Sequence, residues 1–154
     1  MNFSRILVPI KSLPEDEDVL DLALSHAAVP HGYRRPRQTV KVEVIHVVEV
    51  PQSLPLDADL PEAVQQGDVV LAYAEAAAKR QDTLIQAELL QARSAGVAIV
   101  DEAIERGADL IIIGAHYRRR HGEFSLGETL PYVFKNAPCR VWVARAPRTE
   151  SALR

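Results

Sequence analysis

The sequence predicts an α/β fold, a doubly wound five-stranded parallel sheet with helices on both faces. Short runs such as residues 6–10 and 109–114 are apolar at almost every position, as strands covered on both sides must be. Segments with helical spacing separate these runs, and strand–helix alternation of that kind builds parallel sheets through right-handed crossovers. With 154 residues, 47% of them hydrophobic and 25% charged, the chain has the balance of one globular domain with a proper core. That domain is expected over residues 1–147, with 148–154 as a flexible tail.

The first strand, residues 6–10, stops at Lys11-Ser12-Leu13-Pro14. Pro14 and the acids Glu15, Asp16, Glu17 and Asp18 read as a helix start. Proline has the φ of a first turn, and acids suit the positive end of the helix dipole. Val19, Leu20, Leu22, Ala23, Leu24 and Ala27 keep helical spacing to about residue 28. Residues 29–39, with Pro30, Gly32, Pro36, Arg34, Arg35 and Arg37, form a basic loop, either solvated or turned to a membrane surface or partner. Residues 40–48 are β-branched and nearly alternating, the pattern of a second strand.

Prolines and acids make 51–61 a long, mobile loop. Alanines and straight side chains then favour a helix over 62–82. Residues 87–92 are assigned to the third strand, although Glu88-Leu89-Leu90-Gln91 also suits a helical extension. A helix over 97–106 is stopped by Gly107. The fourth strand, 109–114, leads through a basic loop to a short helix ending near 136, and 140–144 is the fifth strand. In such sheets ligands sit beyond the carboxyl ends of the strands, where the winding direction switches.

A formal charge of -3 creates no global field for nucleic acid or an anionic membrane, and 5% aromatics leave few platforms for stacking bases. A single cysteine forms no intrachain disulfide. The opening residues carry no signal-peptide pattern, and no apolar run reaches the roughly 18–20 residues of a membrane span. A cytoplasmic protein without membrane insertion is expected. No G-x-G-x-x-G follows the first strand and no G-x-x-x-x-G-K-[ST] occurs, so neither dinucleotide oxidoreduction nor P-loop hydrolysis is expected. No nucleophile, base and orienting group assemble either, and the expectation is a protein that is not an enzyme.

Four segments in order carry a resemblance: residues 6–12 (ILVPIKS), 45–48 (IHVV), 108–116 (ADLIIIGAH) and 136–143 (NAPCRVWV). Together they resemble the universal stress protein family over residues 5–145. The resemblance implies the adenine nucleotide alpha hydrolase-like version of this fold, dimerisation through the last strand, and in many members ATP or AMP binding. It places a nucleotide pocket at Pro9, Lys11, Val47, Ile113, Gly114, Tyr117, Gly127, Glu128 and Thr129.

The family's usual G-x2-G-x9-G-[ST] is altered. Gly114 and Gly127 keep the first and third glycines, but Tyr117 takes the second and Glu128 the Ser/Thr position, with Thr129 one residue later. Lys11 replaces the acid that usually follows the first strand. A tyrosine removes the room that lets amides approach phosphate. Ser125-Leu126-Gly127-Glu128 fits a capping box in which Glu128 satisfies the amides itself. Conventional ATP binding is therefore not expected. The expected function is a non-catalytic, dimeric binding or regulatory domain with a modified pocket. The alternative is a module sensing AMP, ATP or a cyclic nucleotide, with Arg118, Arg119 and Arg120 on the phosphate; a solvated loop is the other reading of those arginines.

Val141, Trp142 and Val143 are the expected dimer contact, since an apolar terminal strand at a sheet edge invites its copy. Trp142 serves equally well packed in its own core. Association with a membrane transporter is a further possible partnership, since similar domains occur fused to transporters. His116 and His121 lack a third metal ligand at useful spacing, so no metal is expected. His46 and Cys139 read as core residues.

Overall fold

β1 (Arg5–Pro9) runs through the middle of the sheet in the computed structural model. The structure describes residues 2–28, 39–116, 118–120 and 123–146, with backbone alone for 118–120, 123 and 124. The expected tail, 148–154, and most of the basic loop at 29–39 lie outside the described residues.

After β1 the chain forms α1 (Glu17–Ala27), β2 (Lys41–Glu49), α2 (Pro61–Arg80), β3 (Ile85–Ala92), α3 (Ala95–Arg106) and β4 (Leu110–Gly114). A hairpin of β5 (Arg118–Arg120) and β6 (Glu123–Ser125) follows, then α4 (Thr129–Asn136) and β7 (Arg140–Ala144). The five long strands are all parallel, in the order β3-β2-β1-β4-β7. The chain thus winds outward from β1 to β3 and returns to build β4 and β7 on the other side. The switch point lies between β1 and β4, and the ligand crevice of this topology opens at their carboxyl ends.

Alternate residues of each strand feed two cores. Ile6, Val8, Val42, Val44, Leu110 and Ile112 pack under α1 and α2. Leu7, Ile45, Ile111 and Ile113 pack under α3 and α4, against Ile99, Val100, Leu130 and Val133. Ile6, Leu7 and Val8 are all completely buried, which is why β1 reads as continuously apolar rather than alternating.

Element types follow the sequence expectation, and the boundaries move for local reasons. The α1 helix starts at Glu17 rather than Pro14, because Ser12–Asp16 is a turn closed by Asp16 N–H donating to the Ser12 carbonyl. The β3 strand begins at Ile85 and does not extend the preceding helix: its backbone pairs with β2 from Val42↔Ile85 to Glu49↔Ala92. Ser94 caps α3 by accepting from Val97 N–H, and Gly107 ends it at φ 61.

Three expectations are corrected. The segment expected as a basic loop contains the antiparallel β5–β6 pair, Arg118↔Ser125 to Arg120↔Glu123; two residues between the strands is hairpin spacing. The loop expected to be mobile at 51–61 is tied to β3. Arg93 Nη1 donates to the carbonyls of Val50, Pro51 and Leu54, and Gln91 Nε2 to those of Leu56 and Ala58. Finally, the capping box at 125–128 does not form. Glu128 is itself the N-cap of α4, exposed and without a side-chain cap bond, while Ser125 Oγ accepts from Gly127 N–H. The left-handed φ of 70° at Gly127 turns the chain there, and with Glu128 at the N-cap Ser125 stands three residues too early for the reciprocal pattern.

Candidate functional site at the switch point

The residues expected at a nucleotide pocket fall along the carboxyl rim of the sheet. Pro9 ends β1 and Gly114 ends β4, both buried and on adjacent strands. Lys11 follows β1 and is exposed. Val47 lies two residues beyond Ile45, the partner of Pro9, on the α3/α4 face with Ile113. Gly127, Glu128 and Thr129 form the entry to α4, the first two exposed and the third half-buried. Tyr117 lies outside the described residues; Arg118, Arg119 and Arg120 form β5, where only the backbone is described.

The centre of this region is a residue that sequence reasoning left in a helix turn. Asp16 is 1% exposed. Its Oδ2 accepts from the backbone N–H groups of Lys11 (2.7 Å) and Ser12 (3.2 Å), and its Oδ1 lies 2.8 Å from His116 Nε2. A carboxylate withdrawn from water requires such partners, and here it finds them on two strands' ends. Glu17 and Asp18 do occupy the first turn of α1 as expected, so the four neighbouring acids concealed one with a different task.

Gly114 makes this arrangement possible. A Cβ at that position would overlap Asp16 Oδ1 and would stand 3.2 Å from Val19 Cγ2 and 3.3 Å from His116 Nε2. The first glycine of the altered motif is thus filled from within the chain, by the Asp16 carboxylate. Nothing in a single sequence signals a contact between residues 100 apart; the only local hint is the Gly-x-His spacing at 114–116.

His46 is a core residue, 8% exposed, with Nδ1 bonded at 2.9 Å to the Ile10 carbonyl oxygen. Cys139 is half-buried against the α3/α4 core. His116 is engaged by Asp16, and His121 lies outside the described residues. Among the described residues, no three His, Cys, Asp or Glu side chains converge as metal ligands. No helix among them is long and apolar enough to cross a membrane.

The family model for the universal stress protein family matches residues 2–145. The chain belongs to the universal stress protein family. Solved members share its fold at low identity. A universal stress protein from Archaeoglobus fulgidus in complex with dAMP is 21% identical, with a TM-score of 0.67 over 93% of this chain and 98% of that one. A universal stress protein in complex with cAMP is 16% identical, with a TM-score of 0.66 over 94% and 98% of the two chains. An Arabidopsis thaliana family protein with AMP bound is 13% identical, with a TM-score of 0.62 over 98% and 95%. No curated protein sequence matches the chain.

The expected edge contact also has a place. β7 is an outer strand of the sheet, and Val143 is exposed on it. Trp142 instead packs within its own chain, edge-on to Phe3 at 5.2 Å between ring centroids and 4.9 Å from the His26 ring.

Proposed function

We propose that this family member is a non-catalytic binding module whose crevice takes an adenine nucleotide with one phosphate in preference to ATP. The observation that carries the reading is the Asp16 carboxylate at the switch point. It consumes the Lys11 and Ser12 amides and fills the space beside Gly114. A fixed negative charge at that point disfavours a polyphosphate far more than a monoester. The relatives solved with dAMP, cAMP and AMP support a nucleoside monophosphate as the ligand class. The changes at Tyr117 and Glu128 point the same way, although the Glu128 side chain acts by its charge and makes no cap bond.

Calorimetry with AMP, cyclic AMP and ATP, with and without magnesium, tests the reading. AMP or cyclic AMP binding more tightly than ATP is expected; tight magnesium-dependent ATP binding would overturn it. Absence of ATP turnover is expected in the same samples. The reading places the protein in the cytoplasm as a homodimer through β7, a regulatory partner of other proteins, a transporter among them. Val143→Asp probes that edge better than a change at Trp142, which has its own intrachain packing; conversion of a dimer to monomer in light scattering is expected.

A further inference from the structure

We propose that the outer edge of β3 is a docking strand, to which another protein adds an extended, basic segment. β3 ends the sheet on the side opposite β7, so this site is separate from the crevice at β1 and β4 and from the β7 edge. Val50 N–H donates to the Ala92 carbonyl, and successive residues of a paired strand turn their main-chain groups to opposite sides. Gln86, Glu88, Leu90 and Ala92 therefore bond towards β2, while Ile85, Ala87, Leu89 and Gln91 point their N–H and C=O groups outward. Among the described residues no strand pairs with that outer side. Devices that usually guard such an edge are missing. Ile85–Ala92 holds no proline or lysine, and its eight pairs with β2 run without a bulge. An added strand takes its affinity from a ladder of this kind.

Acids on both faces of the edge set the chemistry of the occupant. On the α2 face, Glu75, Ala78, Lys79, Asp82, Leu84 and Ile85 line an open pocket of about 400 Å³ at the start of β3. Leu84 is 93% exposed there. Two carboxylates against one ammonium, over apolar walls, suit the stem and cationic head of a lysine or arginine side chain. On the α3 face the Glu88 side chain is 53% exposed, and three carboxylates share the single Arg106 guanidinium. Side chains of an added strand alternate between the same two faces, so basic residues on either face of it meet acids. A second copy of this chain does not fit. Glu88 lies near the middle of β3, and pairing two such edges would bring like charges together. The complement is a basic strand from a different protein.

The probe is a synthetic peptide of about eight residues, alternating valine and threonine with one lysine on each face; its control carries glutamates in place of the lysines. Binding to the full chain is read by fluorescence anisotropy, and the edge engaged is read by amide hydrogen exchange. The lysine peptide should bind, lose affinity as salt is raised, and slow exchange at Ala87, Leu89 and Gln91. The glutamate peptide should bind about tenfold more weakly or worse. Ala87→Pro removes an outward N–H and none that bonds β2, and should abolish binding. Glu75→Gln combined with Asp82→Asn, both at exposed positions, should weaken it several-fold without disturbing the strand. No binding of the lysine peptide up to about 1 mM, or binding that protects β7 and leaves β3 unchanged, overturns the proposal. Equal affinity for the two peptides overturns the basic partner. Protection of the same β3 amides that rises with protein concentration alone assigns the edge to a second copy and overturns it as well.

Discussion

The carboxylate of Asp16 and the absent side chain of Gly114 share one space. A methyl group at residue 114 would overlap Oδ1 and crowd Val19 Cγ2, while Asp16 is held in place by bonds to Lys11, Ser12 and His116. Neither side can yield without breaking a buried hydrogen bond. Gly114→Ala should therefore destabilise the protein by about 1–3 kcal/mol. Thermal denaturation reads this directly, and an unchanged midpoint would show that the loop relaxes around the methyl.

At the opposite end of the sheet, Asp109 fastens the start of β1. It accepts from Ser4 N–H, Ser4 Oγ–H and Arg5 N–H at 2.8, 2.8 and 3.0 Å. Burial opposes its charge, but these bonds outweigh burial and hold the carboxyl below its ordinary value of 3.8. A depressed folded value means stability that is complete above about pH 4 and is lost as pH falls through the folded value. Wild type should thus lose more stability than Asp109→Asn on acidification below about pH 4, measured as urea midpoints across that range. Equal losses in the two proteins would remove Asp109 from the account.

Arg106 joins three elements through carboxylates. Its Nε reaches Glu102 at 2.6 Å on α3, Nη1 reaches Glu43 at 3.3 Å on β2, and Nη2 binds Glu88 on β3. Burial works against the guanidinium charge, yet the three acids outweigh it and raise its pKa. Glu43 is only 8% exposed, so Arg106→Ala strands a buried charge and should cost about 2–3 kcal/mol, somewhat less than a fully buried pair. Pairing Arg106→Met with Glu43→Leu should recover most of that loss in denaturant melts. Failure to recover would mean that Arg106 matters through Glu88 and Glu102 instead.

The lone thiol should be sluggish. Burial pushes the Cys139 pKa up, the Asp109 charge adds to it, and a backbone bond with Ile111 acts weakly against both. Because the thiolate is the reactive species, alkylation at neutral pH should be several-fold slower than for an unstructured cysteine and should accelerate on denaturation. A native rate equal to the denatured one would contradict this.

The fold was legible because its signals are local. Apolar strands such as 6–10 and 109–114, the stop at Gly107 and the break at residues 94–96 each say what they are within a few residues. The ambiguous stretch at 87–92 was decided by pairing with β2, a partner no local pattern names. The family was legible from four short segments in order. The centre of the site was not, since Asp16 sits among helix-starting acids and its partner is 100 residues away. The capping box misled for a related reason: the letters at 125–128 fit, but the left-handed turn at Gly127 moved the helix start past them.

The way Arg93 and Gln91 secure the loop after β2 has a consequence for how this protein can vary. Both side chains donate to main-chain oxygens, those of Val50, Pro51, Leu54, Leu56 and Ala58, while the side chains of 51–57 face water. The anchorage is therefore indifferent to which amino acids the loop carries and sensitive only to how many. Exposed positions such as Gln52 and Asp57 can be exchanged to give this rim of the molecule a new chemical label, on a mount whose shape stays the same.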